Sequence, residues 1–158
     1  MRIAFTYLQD VNERIVIMKK EKKIMIIFNL LLFLWFFLDM TGLSIFGNTL
    51  VSRSYKEDGI FFLIYLVLLL GFLINEKIGL YILTLWLFLW FMTQFLSHWY
   101  FTIFGPWEKK RQYFSETIKL FQTKEVYIPD IYHIVLHVLI LLALIGCIRY
   151  FICGKKKI

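Results

Sequence analysis

Four long apolar runs divide the chain, at residues 24–46, 59–74, 78–101 and 128–152, and polar stretches separate them. A helix rises about 1.5 Å per residue, so about 20 residues cross a hydrocarbon core of about 30 Å. Three of the runs reach that length. The second is short, with its wholly apolar part confined to Ile60–Ile74, so it must borrow Asp58 and Gly59 or sit in a locally thinned bilayer. The segment INEKIG (74–79) is a tight polar turn that makes the second and third spans an antiparallel hairpin. The expected fold is an all-α integral membrane protein, a four-transmembrane-helix bundle.

The longest connection lies between the third and fourth spans. Gly105-Pro106 ends the third, and Pro129 stands where a proline suits the first turn of the fourth. Between them Trp107, Phe114, Ile118 and Phe121 recur at helical spacing, while Lys109, Lys110, Arg111, Glu116 and Lys119 fall mostly elsewhere around the helix. This pattern predicts an interfacial amphipathic helix over about 107–122. Its plain role is a membrane-hugging connector. Its sharper role is a lid, or a docking surface for a partner or for anionic lipid.

Composition strengthens the membrane reading. Of 158 residues, 60% are hydrophobic and 20% aromatic, and the mean hydropathy is +0.71; soluble domains are nearer 45–50% apolar. Phe, Ile, Leu, Lys and Tyr abound while Ala occurs only at positions 4 and 143. That is the bias of an AT-rich genome and points to a bacterial source, so the phenylalanines need no functional explanation.

The net charge of +7 would suggest nucleic acid in a soluble protein. Here the basic residues flank the apolar runs and set orientation instead. Eleven Lys and Arg fall with the two termini and the 74–79 turn, against seven in the other two loops. Both termini are therefore expected in the cytoplasm of a plasma-membrane protein. Residues 1–23 form a basic N-terminal segment, 24–152 the membrane domain and 153–158 a basic tail. No small-x-small cleavage site follows the first run, so it reads as a retained span rather than a signal peptide. Met18 followed by Lys-Lys-Glu-Lys-Lys also resembles a natural start, which makes residues 1–17 a dispensable extension. Cys147 and Cys153 match neither a metal knuckle nor a redox pair and read as ordinary thiols.

Ionisable groups inside a span cost free energy and normally face the bundle interior, where they find partners. Asp39 lies about two turns before the end of the first run, and His98 lies near the same end of the third. Asp130, His133 and His137 descend from that end of the fourth on a single helical stripe. All five fall in one half of the bilayer, the outer half in the favoured orientation, and they form the candidate ligand-binding cluster. His133-x-x-x-His137 is the helical spacing at which two imidazoles ligate one metal ion. The candidate metal set is therefore Asp39, His98, His133 and His137, with a divalent metal as first cofactor candidate and haem second. A bis-His haem would need His98 opposite His133 or His137. The plainer readings are an interfacial imidazole for His98 and His133, and cross-helix hydrogen bonding for Asp39.

No nucleotide loop, catalytic Ser or Cys constellation or internal repeat is visible in the sequence. The leading expectation is a non-catalytic membrane protein that binds a ligand, lipid or metal ion at this cluster, or serves a larger membrane complex. The alternatives are a metal-dependent enzyme acting on a lipid or peptide at the interface, and a haem-bearing electron carrier. The expected partners are the bilayer and a homo-oligomer or larger complex, without nucleic acid.

Overall fold

The computed structural model describes residues 2–121, 123 and 125–155, with side chains from Asn12 onward. Helix α1 (Arg2–Thr41) leads into a short hairpin of β1 (Leu43–Ile45) and β2 (Asn48–Val51). Then follow α2 (Tyr55–Ile74), α3 (Glu76–Gln94), a π-helical turn (Phe95–Tyr100) and α4 (Phe101–Phe104). A six-residue α5 (Glu108–Tyr113) precedes the final α6 (Ile131–Lys155). Four helical stretches are long and apolar enough to cross a membrane: Asn12–Thr41, Tyr55–Ile74, Glu76–Phe104 and Ile131–Lys155. The chain is an all-α four-helix membrane bundle.

The boundaries differ from the sequence expectation in instructive places. The first span stops at Thr41, not at Phe46. Gly42 takes φ +73° and its N–H bonds the Leu38 carbonyl at 2.7 Å, which is the left-handed C-cap that closes a helix. The apolar residues after it form a β-hairpin instead, turning at Phe46 and Gly47, both at positive φ. The second span gains a turn at its start, because the chain is already helical at Tyr55. In the fourth, Pro129 lies outside the helix and Asp130 caps it. Helix α1 runs without a break through the described part of the basic segment 1–23. Met1, Lys156 and Lys157 lie outside the described residues, as do Lys124 and the side chains of Arg2 and the rest of 2–11.

The expected 107–122 helix survives only as α5. Beyond Tyr113 the hydroxyls of Ser115 and Thr117 bond the carbonyls of Gln112 and Phe114 and draw the chain out of helical register. The single amphipathic face is thereby split. Trp107 and Ile118 are half-buried, Phe114 is buried, and Phe121 is 68% exposed. Thr49 pairs with Thr117 in an isolated bridge, Ile118 N–H donates to the Thr49 carbonyl at 3.0 Å, and Ile131 N–H donates to the Ile118 carbonyl at 3.0 Å. Hairpin and loop are thus joined to each other and to the start of α6.

The core runs along the bundle through Met25, Leu32 and Phe36 of α1, Tyr65 of α2, Leu83 and Leu87 of α3, and Leu136, Ile140, Ala143 and Cys147 of α6. Opposite faces of the same helices carry exposed Leu34, Leu63, Leu73 and Ile148, as lipid-facing surfaces do. At the end carrying the termini, Glu21 pairs with Arg149 at 2.7 Å, and Glu76 takes Lys22 and the Tyr150 hydroxyl. Halfway up, Tyr65 donates to the carbonyl and side-chain oxygens of Asn29 at 3.1 and 3.0 Å, so that buried amide is satisfied.

Two glycines mark how closely α2 and α3 approach. A Cβ on Gly79 would lie 2.4 Å from the Phe72 Cα, whereas one on Gly71 would meet nothing within 4 Å. Gly79→Ala should therefore push α2 and α3 apart and cost about 1–3 kcal/mol, the scale of an overpacked core. Gly71→Ala should leave the unfolding midpoint in detergent within about a degree, for a change this small at an open position. Equal midpoints for the two variants would contradict the close crossing.

Candidate functional site

The polar groups of the upper bundle converge because α1, α2, α3 and α6 all have an end there. Ser54 N–H donates to the Asp39 carbonyl at 2.8 Å, and Asp58 N–H donates to the Ser54 carbonyl at 2.8 Å. The last turn of α1 and the first of α2 are thereby held together, and the side chains of Asp39 and Asp58 hydrogen-bond one another.

On the other side of the space, Asp130 is the N-cap of α6. One of its oxygens accepts the His133 backbone N–H at 2.9 Å and faces the His133 Nδ1 at 2.7 Å. A carboxylate here satisfies an otherwise orphaned donor and complements the positive end of the helix. His98 reaches the site from the π-helical turn, a distortion that recurs at functional positions. Its Nδ1 shares a 2.6 Å hydrogen bond with the Tyr127 hydroxyl. Burial, with Asp130 nearby, pushes the Tyr127 hydroxyl up from its ordinary value, so it stays protonated.

Together these groups line a cavity of about 300 Å3. Asp39, Asp58, Asp130, His98 and His133 supply its charge-bearing surface, and Ser52, Ser54, Thr93, Gln94 and Ser97 add neutral polar groups. Phe36, Trp90 and Leu136 lie at its lower side, above the fully buried Leu32, Tyr65, Leu83 and Leu87. Phe36 and Trp90 pack with ring centroids 4.7 Å apart, and Trp90 meets Tyr65 edge-on at 5.4 Å. This aromatic floor separates the cavity from the other half of the bundle. Phe114 forms part of the roof, against the rings of His133 and His98 at 5.2 and 5.7 Å. Lys110 holds the roof down: its ammonium donates to the Ser97 carbonyl at 2.7 Å and lies over the Phe101, Phe114 and Tyr127 rings. Burial pushes that ammonium down from the ordinary lysine value.

Four of the five candidate residues, Asp39, His98, Asp130 and His133, line this one space. His137 does not. Its Nδ1–H donates to the His133 carbonyl at 3.2 Å, its ring meets Phe91 and Trp99 edge-on, and its Nε2 has no partner among the described residues. Asp39 therefore lies beside Asp58 and not against His137. One turn of helix separates His133 from His137, but the intrahelical bond turns the second imidazole away from α1.

The metal set of Asp39, His98, His133 and His137 does not assemble either. Among the described residues no three His, Cys, Asp or Glu side chains are grouped as a metal ion requires. The rings of His98 and His133 lie tilted at 32° with centroids 4.2 Å apart, too close to face each other across an iron. Two residues outside the candidate set belong to the site. Asp58 opens α2 directly beside Asp39. Tyr132 is 1% exposed, stacks on Trp35 at 5.6 Å and lines the cavity, and its hydroxyl has no hydrogen-bond partner among the described residues. Tyr132 begins the buried series Tyr132, Leu136, Ile140, Ala143, Cys147, Tyr150, whose spacing of three and four is the signal that could find it.

No family model, curated protein or solved structure matches the chain.

Two outcomes follow for stability in detergent. Asp39→Asn and Asp58→Asn should be coupled by about 0.5–3 kcal/mol in a double-mutant cycle, while Asp39→Asn and His137→Leu should add to within about 0.5 kcal/mol. The reverse pattern would put Asp39 beside His137. Asp130→Ala should lose about 0.5–2 kcal/mol with the cap, and Asp130→Asn should keep most of it. Equal losses from the two would mean that the cap carries none of the effect.

Proposed function

We propose that this protein is a multi-pass plasma-membrane protein that binds a small polar ligand from the outer face without transforming it. The observation that carries the reading is the cavity of about 300 Å3, polar in its upper part and closed beneath by Phe36 and Trp90. A volume of that size suits a small molecule. An aromatic floor suits a site reached from one side and does not suit a continuous path across the bundle. The surplus of Lys and Arg beside the termini favours the cytoplasm for the opposite end, which puts the cavity outside.

Binding is favoured over catalysis by what the polar groups already do. The Thr93 hydroxyl bonds the Leu89 carbonyl and the Ser54 hydroxyl bonds the Ser52 carbonyl. The Nδ1 atoms of His98 and His133 are engaged by Tyr127 and Asp130. A nucleophile would need a base within hydrogen-bond reach, and the hydroxyls of Ser54 and Thr93 are turned to main-chain carbonyls instead.

Thiol labelling in intact cells tests the reading in a Cys153→Ser background, with Cys147 left buried in the core. The membrane-impermeant, cationic trimethylammonioethyl methanethiosulfonate, added outside, should modify Ser97→Cys in the cavity and Lys109→Cys on the exposed loop. It should spare Lys20→Cys on α1. Modification of Lys20→Cys from outside would invert the orientation. An unreactive Ser97→Cys beside a reactive Lys109→Cys would remove the open site.

A further inference from the structure

We propose that the ligand is a primary ammonium compound with a small apolar body, held by the Asp39–Asp58 pair and the Tyr132 hydroxyl. This deepens the binding-site reading above and rests on it.

The charge balance of the cavity comes first. Among the described residues three carboxyl side chains line it, and no Lys or Arg does. Asp130 is matched locally, by His133 and by the start of α6. Asp39 and Asp58 lie beside each other, with Glu57 adding a negative field to both and His133 a favourable one to Asp58. The cations on neighbouring elements are committed elsewhere. Arg53 donates to the Met40 carbonyl and lies over the Tyr55 ring, Lys56 lies over that same ring, and Lys110 is fastened to Ser97. The cavity lining is therefore acidic, and a positively charged ligand complements it.

Hydrogen-bonding capacity narrows the class. The Tyr132 hydroxyl is buried without a partner among the described residues, and Asp39, Asp58 and Asp130 all lie within its electrostatic reach. The Gln94 side-chain oxygen is likewise buried without a donor. Carboxylate, amide and phenol oxygens all accept, and a buried acceptor without a donor costs free energy. The complement is a group rich in N–H. A primary ammonium offers three donors and no acceptor, whereas a quaternary ammonium offers none.

The walls supply the rest. Phe36, Phe61, Trp90 and Phe114 surround the polar groups, so an apolar body is accommodated and aromatic faces attract a cation. A bare divalent metal fits less well. The described histidines and carboxyls are paired off and are not grouped around one point.

Three compounds of one shape separate the possibilities: phenethylammonium, its N,N,N-trimethyl derivative and 3-phenylpropionate. Isothermal titration into the detergent-solubilised full chain at neutral pH should show phenethylammonium binding about tenfold or more tightly than the trimethyl form, because the quaternary nitrogen forfeits charge-assisted hydrogen bonds. Phenylpropionate should not bind. Asp39→Asn combined with Asp58→Asn removes both carboxyls and should weaken phenethylammonium about tenfold or more on the same ground. Tyr132→Phe removes only an unpaired hydroxyl, so the fold should stand, and affinity should still fall severalfold, as for one hydrogen bond to a charged group. Equal affinity for the primary and quaternary cations would overturn the hydrogen-bonding assignment. Binding of phenylpropionate, or of Mg2+ or Zn2+ with no response to phenethylammonium, would overturn the ligand class. If none of these probes binds while Ser97→Cys still labels from outside, the ammonium assignment fails and the binding site stands. If the labelling fails too, both fall.

Discussion

A bilayer core offers no water to a carboxyl or an amide, so each polar group in a span must be satisfied by the protein itself. That constraint organises this bundle into tiers. At the end carrying the termini, Glu21 and Glu76 meet Arg149, Lys22 and Tyr150. In the middle, the Tyr65 hydroxyl satisfies Asn29. At the far end, Asp39, Asp58, Asp130, His98 and His133 gather around one space. The first two tiers join helices directly: α1 to α6, α1 to α3 and α1 to α2. The third leaves a volume between the helices, and this difference is what the proposed binding site rests on.

The same constraint explains how much is legible in the sequence. An apolar run of span length can hardly be anything else, so the four helices are readable from hydropathy alone. Depth is readable too, because a helix advances a fixed distance per residue. Spacing alone therefore brings Asp39, His98, Asp130 and His133 to one level. Partnership is not readable. Depth says that Asp39 and His137 lie at compatible levels, but rotation about the helix axis decides which groups meet. The rotation of α1 and α2 is set by the Ser54–Asp39 main-chain bond, which no pattern of residue types encodes. His137 lies on the expected stripe, yet it spends its proton donor on its own helix. Tyr132 reads in the sequence as one more aromatic near a span end, because its hydroxyl chemistry and its place in the buried α6 stripe are superimposed on one residue.

The loops are the least legible part. Leu43 to Phe46 look like a continuation of a membrane helix until Gly42 is recognised as a stop, since the residues on both sides are equally apolar. Phe46 then occupies the left-handed turn position at φ 51° and is 99% exposed, an arrangement that residue preference argues against. The 107–122 stretch has the right spacing for an amphipathic helix, and the first turns form. Ser115 and Thr117 then offer the backbone other partners, and Phe114 turns inward over the histidines instead of outward to lipid.

The cover of the cavity is held chiefly by main-chain atoms. The carbonyl of Thr49, both backbone groups of Ile118 and the N–H of Ile131 tie the hairpin, the loop and the last helix together. Every residue except proline carries such groups. Side chains at Tyr113 and Phe114, which border the space, are therefore separable from the main-chain bonds that position them. A lineage can exchange them one at a time, reshaping the chamber while its ceiling stays at the same height above the Asp39–Asp58 pair.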